Sequence, residues 1–574
     1  MADYRLEIED ANAHLLRVTL RLRRPAARQL LCLPAWAPGS YRLRDFARQV
    51  MTIEARQGGR ACGVEQVDKS GWAVTCSGAA MLSVSLVIHA FDETLRGAFL
   101  DTASGFCNGP ALFAYAPGRE AEPCTLTIGR LPRGWRVATS MPQRGRQRFE
   151  AADYAELIDH PIAFGRLQCG RFEAAGVEHE WALEGAWPGF DAERLGADLR
   201  RLCLAQIAFW HGRGRPPMRR YRFLIRAAEQ GHGGLEHRES CLLAVARREL
   251  PHIETAAAGE DPYTGLLGLA SHEYFHAWCA TRMKPRELAA PDLQREAPTR
   301  LLWFFEGFTA YYDELMLLRA GLVGAAGYLR RLATTLNALL ATPGRHALSV
   351  AQASFEAWTK HYQRDANTPN ATVSYYDKGA AIALLCDLAL RRRGSSLDAA
   401  MRRLWRLSAG AAIGEAELEA ALGADADAEF AADLRAWVHG RAELPLAPRL
   451  AAAGVALVRE PAPLAAELGL RLAEGVVSGV QVRQVLRHGA AEAAGIAPGD
   501  ELLAVDGWRI RRLDEARQWL DGARRFELLL VRDQRVLARR VVRPAQAAAP
   551  TLALRLDERA DAAALALRRA WLGV

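Results

Sequence analysis

"ASHEYFHAWC", residues 270–279, sets His272 and His276 four residues apart, with Glu273 directly after the first, in a stretch that is otherwise almost wholly apolar. On a helix, four residues turn through about 400 degrees, so both imidazoles share one face a turn apart and can reach a single ion. Glu273 projects about 100 degrees round the axis, near such an ion and free of it. Two neutral imidazoles on zinc, with a carboxylate that takes a proton from an activated water, is the chemistry this spacing serves. The competing reading is a pair of core histidines, and the context weighs against it. Leu266, Leu267, Leu269, Tyr274, Phe275 and Trp278 fall on several faces of the helix, and a helix that is apolar all round is a buried one. His272, Glu273 and His276 are then polar groups in a dry place, costly unless a metal ion and its water satisfy them.

An open catalytic zinc site takes a third protein ligand. Downstream, "LLWFFEGFTAYYDELML" (301–317) holds Glu306 among apolar and uncharged neighbours. A carboxylate there is either paired with an arginine or is that ligand, and as a ligand its burial needs no further partner. Gly307 beside it is unfavourable inside a helix, which predicts a close backbone approach.

The surrounding chain has 574 residues, enough for about three to four domains. Half of it is hydrophobic and 24% charged, with no apolar run of membrane-spanning length, so the sequence predicts a soluble protein with no membrane partner. The first residues carry charges every few positions where a secretory leader would be uninterruptedly apolar, which predicts a cytoplasmic location. Ten cysteines without a CxxC pair read as free thiols, neither a disulfide framework nor a cysteine zinc site. The net charge of +8 is spread out, with a concentrated run only at Arg391–Arg393, and no basic stripe interleaves with aromatics, so a nucleic-acid partner is not expected. Of 74 basic residues only Lys69, Lys284, Lys360 and Lys378 are lysine.

Residues 1–165 read as a β-rich domain, with alternating or short apolar runs such as "HLLRVTLRL" (14–22) and "MLSVSLVIHAF" (81–91) at the spacing of an antiparallel fold. Residues 166–445 begin with a strand pair at "RYRFLIRAAEQ" and "SCLLAVARREL" and become mainly helical, with "TRLLWFFEGFTAYYDELMLLRAG" and "GAAIALLCDLALRRRG" each closed by glycine. Short strands return over 446–545. A linker, "RPAQAAAP" (543–550), leads to an amphipathic tail, and 546–574 read as linker and C-terminal helix. The fold class is multidomain α+β.

Four motifs in order, "GGLEHRES", "SHEYFHAWCATRMKPREL", "WFFEGFTAYYDEL" and "VSYYDKGA", resemble the M61 family of zinc metallopeptidases, the glycyl aminopeptidase group. "LPAWAPGSYRLRDFARQV" and "GFCNGPALFAY" are similar to that family's β-rich N-terminal domain. The M1 aminopeptidases are a more distant likeness, differing in "GGLEH" and in the longer spacing to Glu306. The resemblance implies a thermolysin-like, gluzincin-type catalytic domain with one zinc per chain on His272, His276 and Glu306. It implies Glu273 as general base and acid, and Tyr376 as donor to the oxyanion, with Tyr375 the competing candidate; a neutral phenol suits that role. Glu236 matches the position that holds the free α-amino group of a peptide substrate, a role open to a carboxylate. Gly233 and Gly234 would let the substrate backbone come close. Lys378 reads as a compact charge beside the catalytic tyrosine, a role arginine's planar fork fills differently. Small N-terminal residues, glycine or alanine, are the implied preference. An endopeptidase, a non-peptide zinc hydrolase and a PDZ-centred adaptor with a weakly active metal site are the alternatives.

"LRHGAAEAAGIAPGDELLAVDGWRI" (486–510) resembles a PDZ domain, expected as a C-terminal β-barrel with Leu468, Gly469 and Leu470 as its carboxylate loop. Such domains take a C-terminal peptide as an added strand. The chain's own end, Leu572, Gly573 and Val574, has the apolar pattern these grooves accept, which nominates Val574 as a ligand of its own or a neighbour's groove.

Overall fold

The computed structural model describes residues 1–253, 262–475, 477–520, 522–544 and 551–574. Two compact units are formed, one from Met1–Ala297 with Arg319–Leu322 and Trp405–Ile413, the other from Pro298–Leu318, Val323–Leu404 and Gly414–Val574.

In the first unit, an eight-stranded sheet is built around strands Ala2–Asp10 and Leu15–Leu22. The alternation in "LLRVTLRL" buries Leu16, Val18, Leu20 and Leu22, and these face Ile88, Leu86, Val84 and Leu82 of strand Leu82–His89 across an antiparallel ladder. One face of period-two side chains therefore becomes core, each buried Leu or Val contributing about 1.5–3 kcal/mol. The antiparallel expectation fails at one place: Ala2–Asp10 also pairs parallel with Cys124–Ile128, a pairing that only a long crossover allows. Smaller three- and four-stranded sheets complete this β-rich part.

The two strands foreseen at 220–250 belong to a five-stranded sheet. Its order is Gln168–Ala174, Val177–Glu184, Arg220–Ala228, Ser240–Ala246 and, at the edge, His232–Glu236. Helix Ala192–His211 crosses between the parallel strands Val177–Glu184 and Arg220–Ala228. The edge strand runs antiparallel to Ser240–Ala246. Helix Tyr263–Phe275 packs on this edge strand, on Ser240–Ala246 and on helix Ala192–His211.

The second unit is helical at its centre. Helix Tyr375–Arg392 is buried along nearly its whole length, because "GAAIALLCDLAL" offers small or apolar groups on every face. The segment around Glu306 forms helices Leu302–Phe305 and Gly307–Arg319, which meet at Glu306. The predicted close approach is at Gly379: a Cβ on Gly307 would lie 2.4 Å from the Gly379 Cα.

The C-terminal region holds the PDZ-like sheet, in the order Leu470–Gly475, Gly479–Val485, Glu501–Val505, Arg525–Arg532 and Arg535–Val542. The expected barrel is corrected to an open sheet: among the described residues Leu470–Gly475 and Arg535–Val542 end it without pairing. Leu464 and Leu468 from helix Leu464–Leu468 and Leu513, Ala516 and Leu520 fill the apolar core, so helical segments cover surface that a closed barrel would cover with strands. Most of the linker "RPAQAAAP" lies outside the described residues. Beyond it, Thr551–Leu556 is a strand paired with Val455–Glu460, and helix Ala562–Leu572 is anchored by Trp571 Nε1 donating to the Tyr311 hydroxyl at 3.0 Å. Val574 is 47% exposed. All ten cysteines are free, seven of them buried. No described helix is long and apolar enough to cross a membrane.

Candidate active site

Helix Tyr263–Phe275 is held from three sides. Gln206 Nε2 donates to the Ser271 carbonyl at 2.8 Å and to its hydroxyl at 3.0 Å, and the Tyr221 hydroxyl donates to the Glu273 carbonyl at 3.2 Å. His179 Nδ1 lies 3.0 Å from the Val177 carbonyl, so that nitrogen carries the hydrogen and Nε2 accepts from the Tyr274 hydroxyl at 2.9 Å. Burial pushes His179 down to about 4, a neutral imidazole despite the opposing backbone bond.

His272 lies in the last turn and His276 caps the helix in helical conformation, so the one-turn spacing survives the helix end and the rings sit 4.6 Å apart, edge to face. After His276 the chain turns back, and Cys279 offers its carbonyl to His276 Nδ1 at 2.7 Å. A carbonyl only accepts, so Nδ1 holds the hydrogen and Nε2 keeps the lone pair a metal needs, the usual device for orienting a histidine ligand. Each of the three candidate ligands is shielded within its own unit, His276 and Glu306 buried and His272 half-buried. Two imidazoles and one carboxylate fit zinc with a position left open.

Glu273 is 4% exposed and its carboxylate occupies the space a Gly234 side chain would fill: a Cβ there would come within 1.9 Å of Oε1. Gly234 therefore makes room for Glu273, a role more specific than the backbone access foreseen for the pair. Side chains two apart on a strand point to one face, so Glu236 projects from the edge strand on the face that Glu273 reaches, about 7 Å along. A loop glycine, Gly39 (φ +82), approaches so closely that a Cβ would be 2.8 Å from Glu236 Oε1. Behind Glu236, Asp159 accepts from the Arg238 backbone N–H at 3.1 Å and meets His237 Nδ1 at 3.2 Å. Burial would raise the Asp159 carboxyl, yet the bond and charge of His237 bring it below its usual range. Lys284 feels Glu236, but burial and then Arg238 depress its pKa.

In the second unit, Glu306 is 3% exposed at the junction of its two helices. Tyr375 is fully buried and Tyr376 half-buried at the start of helix Tyr375–Arg392, where the Ser374 hydroxyl accepts from the Asp377 N–H at 3.1 Å. Both phenol rings pack on His361, at 4.6 and 5.7 Å between centroids, and on each other at 4.8 Å. Sequence reasoning missed His361; a lone histidine in "WTKHYQ" gives no local signal. It sits on a π-helical turn, Ala357–His361, and accepts from Arg364 Nη2 at 2.9 Å. Burial and then the Arg364 charge hold it down to about 4, against the pull of Glu306.

Lys378 is 2% exposed and its Nζ reaches the Gly440 carbonyl at 3.4 Å. Burial lowers it to about 8, with Glu443 opposing and Arg345 assisting. In the predicted carboxylate loop, Leu468 and Leu470 are buried, and Gly469 (φ +75) ends helix Leu464–Leu468 with its N–H 3.2 Å from the Ala466 carbonyl.

Comparison with known proteins agrees with this architecture. Residues 3–166 match the Peptidase M61 N-terminal domain, residues 265–382 the M61 glycyl aminopeptidase and residues 481–532 a PDZ domain. No curated protein matches the chain. Among solved structures, an aminopeptidase N family protein from Idiomarina loihiensis is 29% identical, with 100% of each chain covered and a TM-score of 0.93, so the fold is shared end to end. An M1 zinc metallopeptidase from Deinococcus radiodurans is 16% identical over 78% of this chain and 94% of its own, at a TM-score of 0.46, a likeness too distant to argue from. With an M61-type N-terminal domain, an M61 glycyl aminopeptidase segment and a PDZ domain matched in that order, the chain is a metallopeptidase.

Proposed function

We propose that this metallopeptidase is a zinc-dependent aminopeptidase that removes N-terminal residues, small ones such as glycine or alanine, from peptides. The observation that carries the reading is the edge strand His232–Glu236, which sets the Glu236 carboxylate on the face where Gly234 admits the carboxylate of Glu273. A peptide whose ammonium pairs with Glu236 brings its first carbonyl towards Glu273, and an internal segment of a long chain has no charge to offer Glu236.

His272, His276 and Glu306 would hold one zinc ion, which when bound would supply positive charge to acidify a water and polarise a carbonyl. Glu273 takes the proton of the attacking water and passes it to the leaving amine. Tyr376 donates a hydrogen bond where negative charge develops on the carbonyl oxygen, and His361 and Tyr375 fix its ring. Burial of His276, Glu306 and Glu273 keeps bulk water away and strengthens each interaction. The glycyl aminopeptidase match supports the small-residue preference. The PDZ domain takes a C-terminal peptide as an added strand. Ten free thiols suit a reducing, cytoplasmic compartment.

The test pairs metal analysis with hydrolysis of a glycyl anilide and its N-acetyl counterpart. One zinc per chain, turnover of the free amine only, and loss of that selectivity in Glu236→Ala are expected. Equal turnover of the blocked substrate would overturn the reading in favour of an endopeptidase.

A further inference from the structure

Arg96 stands in the loop that precedes strand Ala98–Leu100, half-buried, against the edge strand His232–Glu236. Its Nη2 donates to the Gly234 carbonyl at 2.7 Å, and Nη1 lies 3.9 Å from the point where a Gly233 side chain would begin. Nε is shut off from solvent and meets no acceptor among the described residues. No described carboxylate pairs with this guanidinium. Other arginines nearby are neutralised, Arg222 by Glu180 and Arg226 by Glu93 and Glu184. A guanidinium carries five donors in a rigid fork suited to a carboxylate. Holding one half-buried for a single bond to a backbone carbonyl leaves charge and donors uncompensated.

Its position along the strand says what completes it. Glu236 comes first, then Gly234 against Glu273, then Gly233, and Arg96 lies over the last two. A substrate with its ammonium at Glu236 and its scissile carbonyl at Glu273 runs its leaving portion past Gly234 and Gly233. We propose that Arg96 binds the terminal carboxylate of a short peptide there, so that the preferred substrates are free di- and tripeptides. Glu236 and Arg96 then act as opposite ends of a gauge: one reads the ammonium, the other the carboxylate. The proposal rests on the aminopeptidase reading.

The experiment compares kcat/KM for glycyl-alanine and glycyl-alanine amide in the wild type, Arg96→Gln and Arg96→Lys. A charge-assisted contact of this kind corresponds to about ten- to hundredfold preference for the free acid in the wild type. Arg96→Gln keeps a donor for Gly234 and lowers the acid-to-amide ratio towards unity; Arg96→Lys recovers part of it. A purely structural Arg96 would change both rates together and leave the ratio alone, and that result overturns the proposal. Equal wild-type rates on the two substrates overturn it as well, while leaving the aminopeptidase reading in place. Turnover of N-acetyl peptides with neither glycyl substrate cleaved would instead remove both.

Discussion

Gly234→Ala is the sharpest probe of the catalytic carboxylate. The added methyl would stand 1.9 Å from Glu273 Oε1, 2.2 Å from Cδ and 2.5 Å from Cγ, where real Cβ contacts essentially never fall below 3.0 Å. The carboxylate must withdraw by about 1 Å or more to reach even that limit, and misplacement on this scale costs about a hundredfold in rate. That equals about 2.7 kcal/mol of transition-state stabilisation. The clash is with the far end of a side chain that can rotate, so the fold should lose less than the 1–3 kcal/mol, roughly, of a rigid overpacked core. The assay is kcat and KM on a glycyl anilide, beside urea unfolding of the same preparation. A fall of about a hundredfold carried by kcat, with a near-unchanged urea midpoint, is expected. Wild-type kcat in Gly234→Ala would show that Glu273 is not the base, or that it works from another position.

Gly307→Ala makes the opposite contrast: its methyl meets the Gly379 and Tyr375 backbones at 2.4–2.8 Å, which cannot rotate away, so unfolding should become easier by about 1–3 kcal/mol or more; an unchanged urea midpoint would contradict the packing. His179, held neutral with its pKa near 4, adds stability that is present above its unfolded value of about 6.5 and is lost as pH falls through about 4, amounting to about 3 kcal/mol. Urea midpoints of wild type and His179→Gln between pH 7 and pH 4 should show the steeper decline in the wild type. Chelation should abolish turnover and lower the melting temperature, and added zinc should restore about 4 kcal/mol at a thousandfold excess over Kd; His276→Ala should show no zinc-dependent shift.

Much of the site was legible because it is written in short-range periodicities. The four-residue spacing of His272 and His276 puts them on one helical face wherever that helix packs, and the uncharged surroundings of Glu306 mark it as a carboxylate needing a strong partner. Gly307 announced a close approach without naming Gly379. The strand "HGGLE" was missed because two glycines carry no strand preference and no alternation. His361 was missed for a different reason: its partners Tyr375 and Tyr376 come from another helix, and a single histidine has no pattern.

By itself, then, the sequence determined the local geometries: alternating strands in the first 165 residues, a buried helix with two histidines one turn apart, glycine-closed helices and a PDZ-like stretch over 486–510. Tertiary structure alone decided what those elements meet. It put Gly234 where Glu273 needs space, closed Val455–Glu460 against Thr551–Leu556 and, among the described residues, left Arg96 over the same strand without a carboxylate and kept the C-terminal sheet open. The division has a physical cause: helix and strand repeats are set by neighbours a few residues apart, whereas a clash such as Gly234 against Glu273, a guanidinium docked like Arg96 on Gly234, or a pairing such as Val455 with Leu556 depends on groups far apart in sequence that only the folded core brings together.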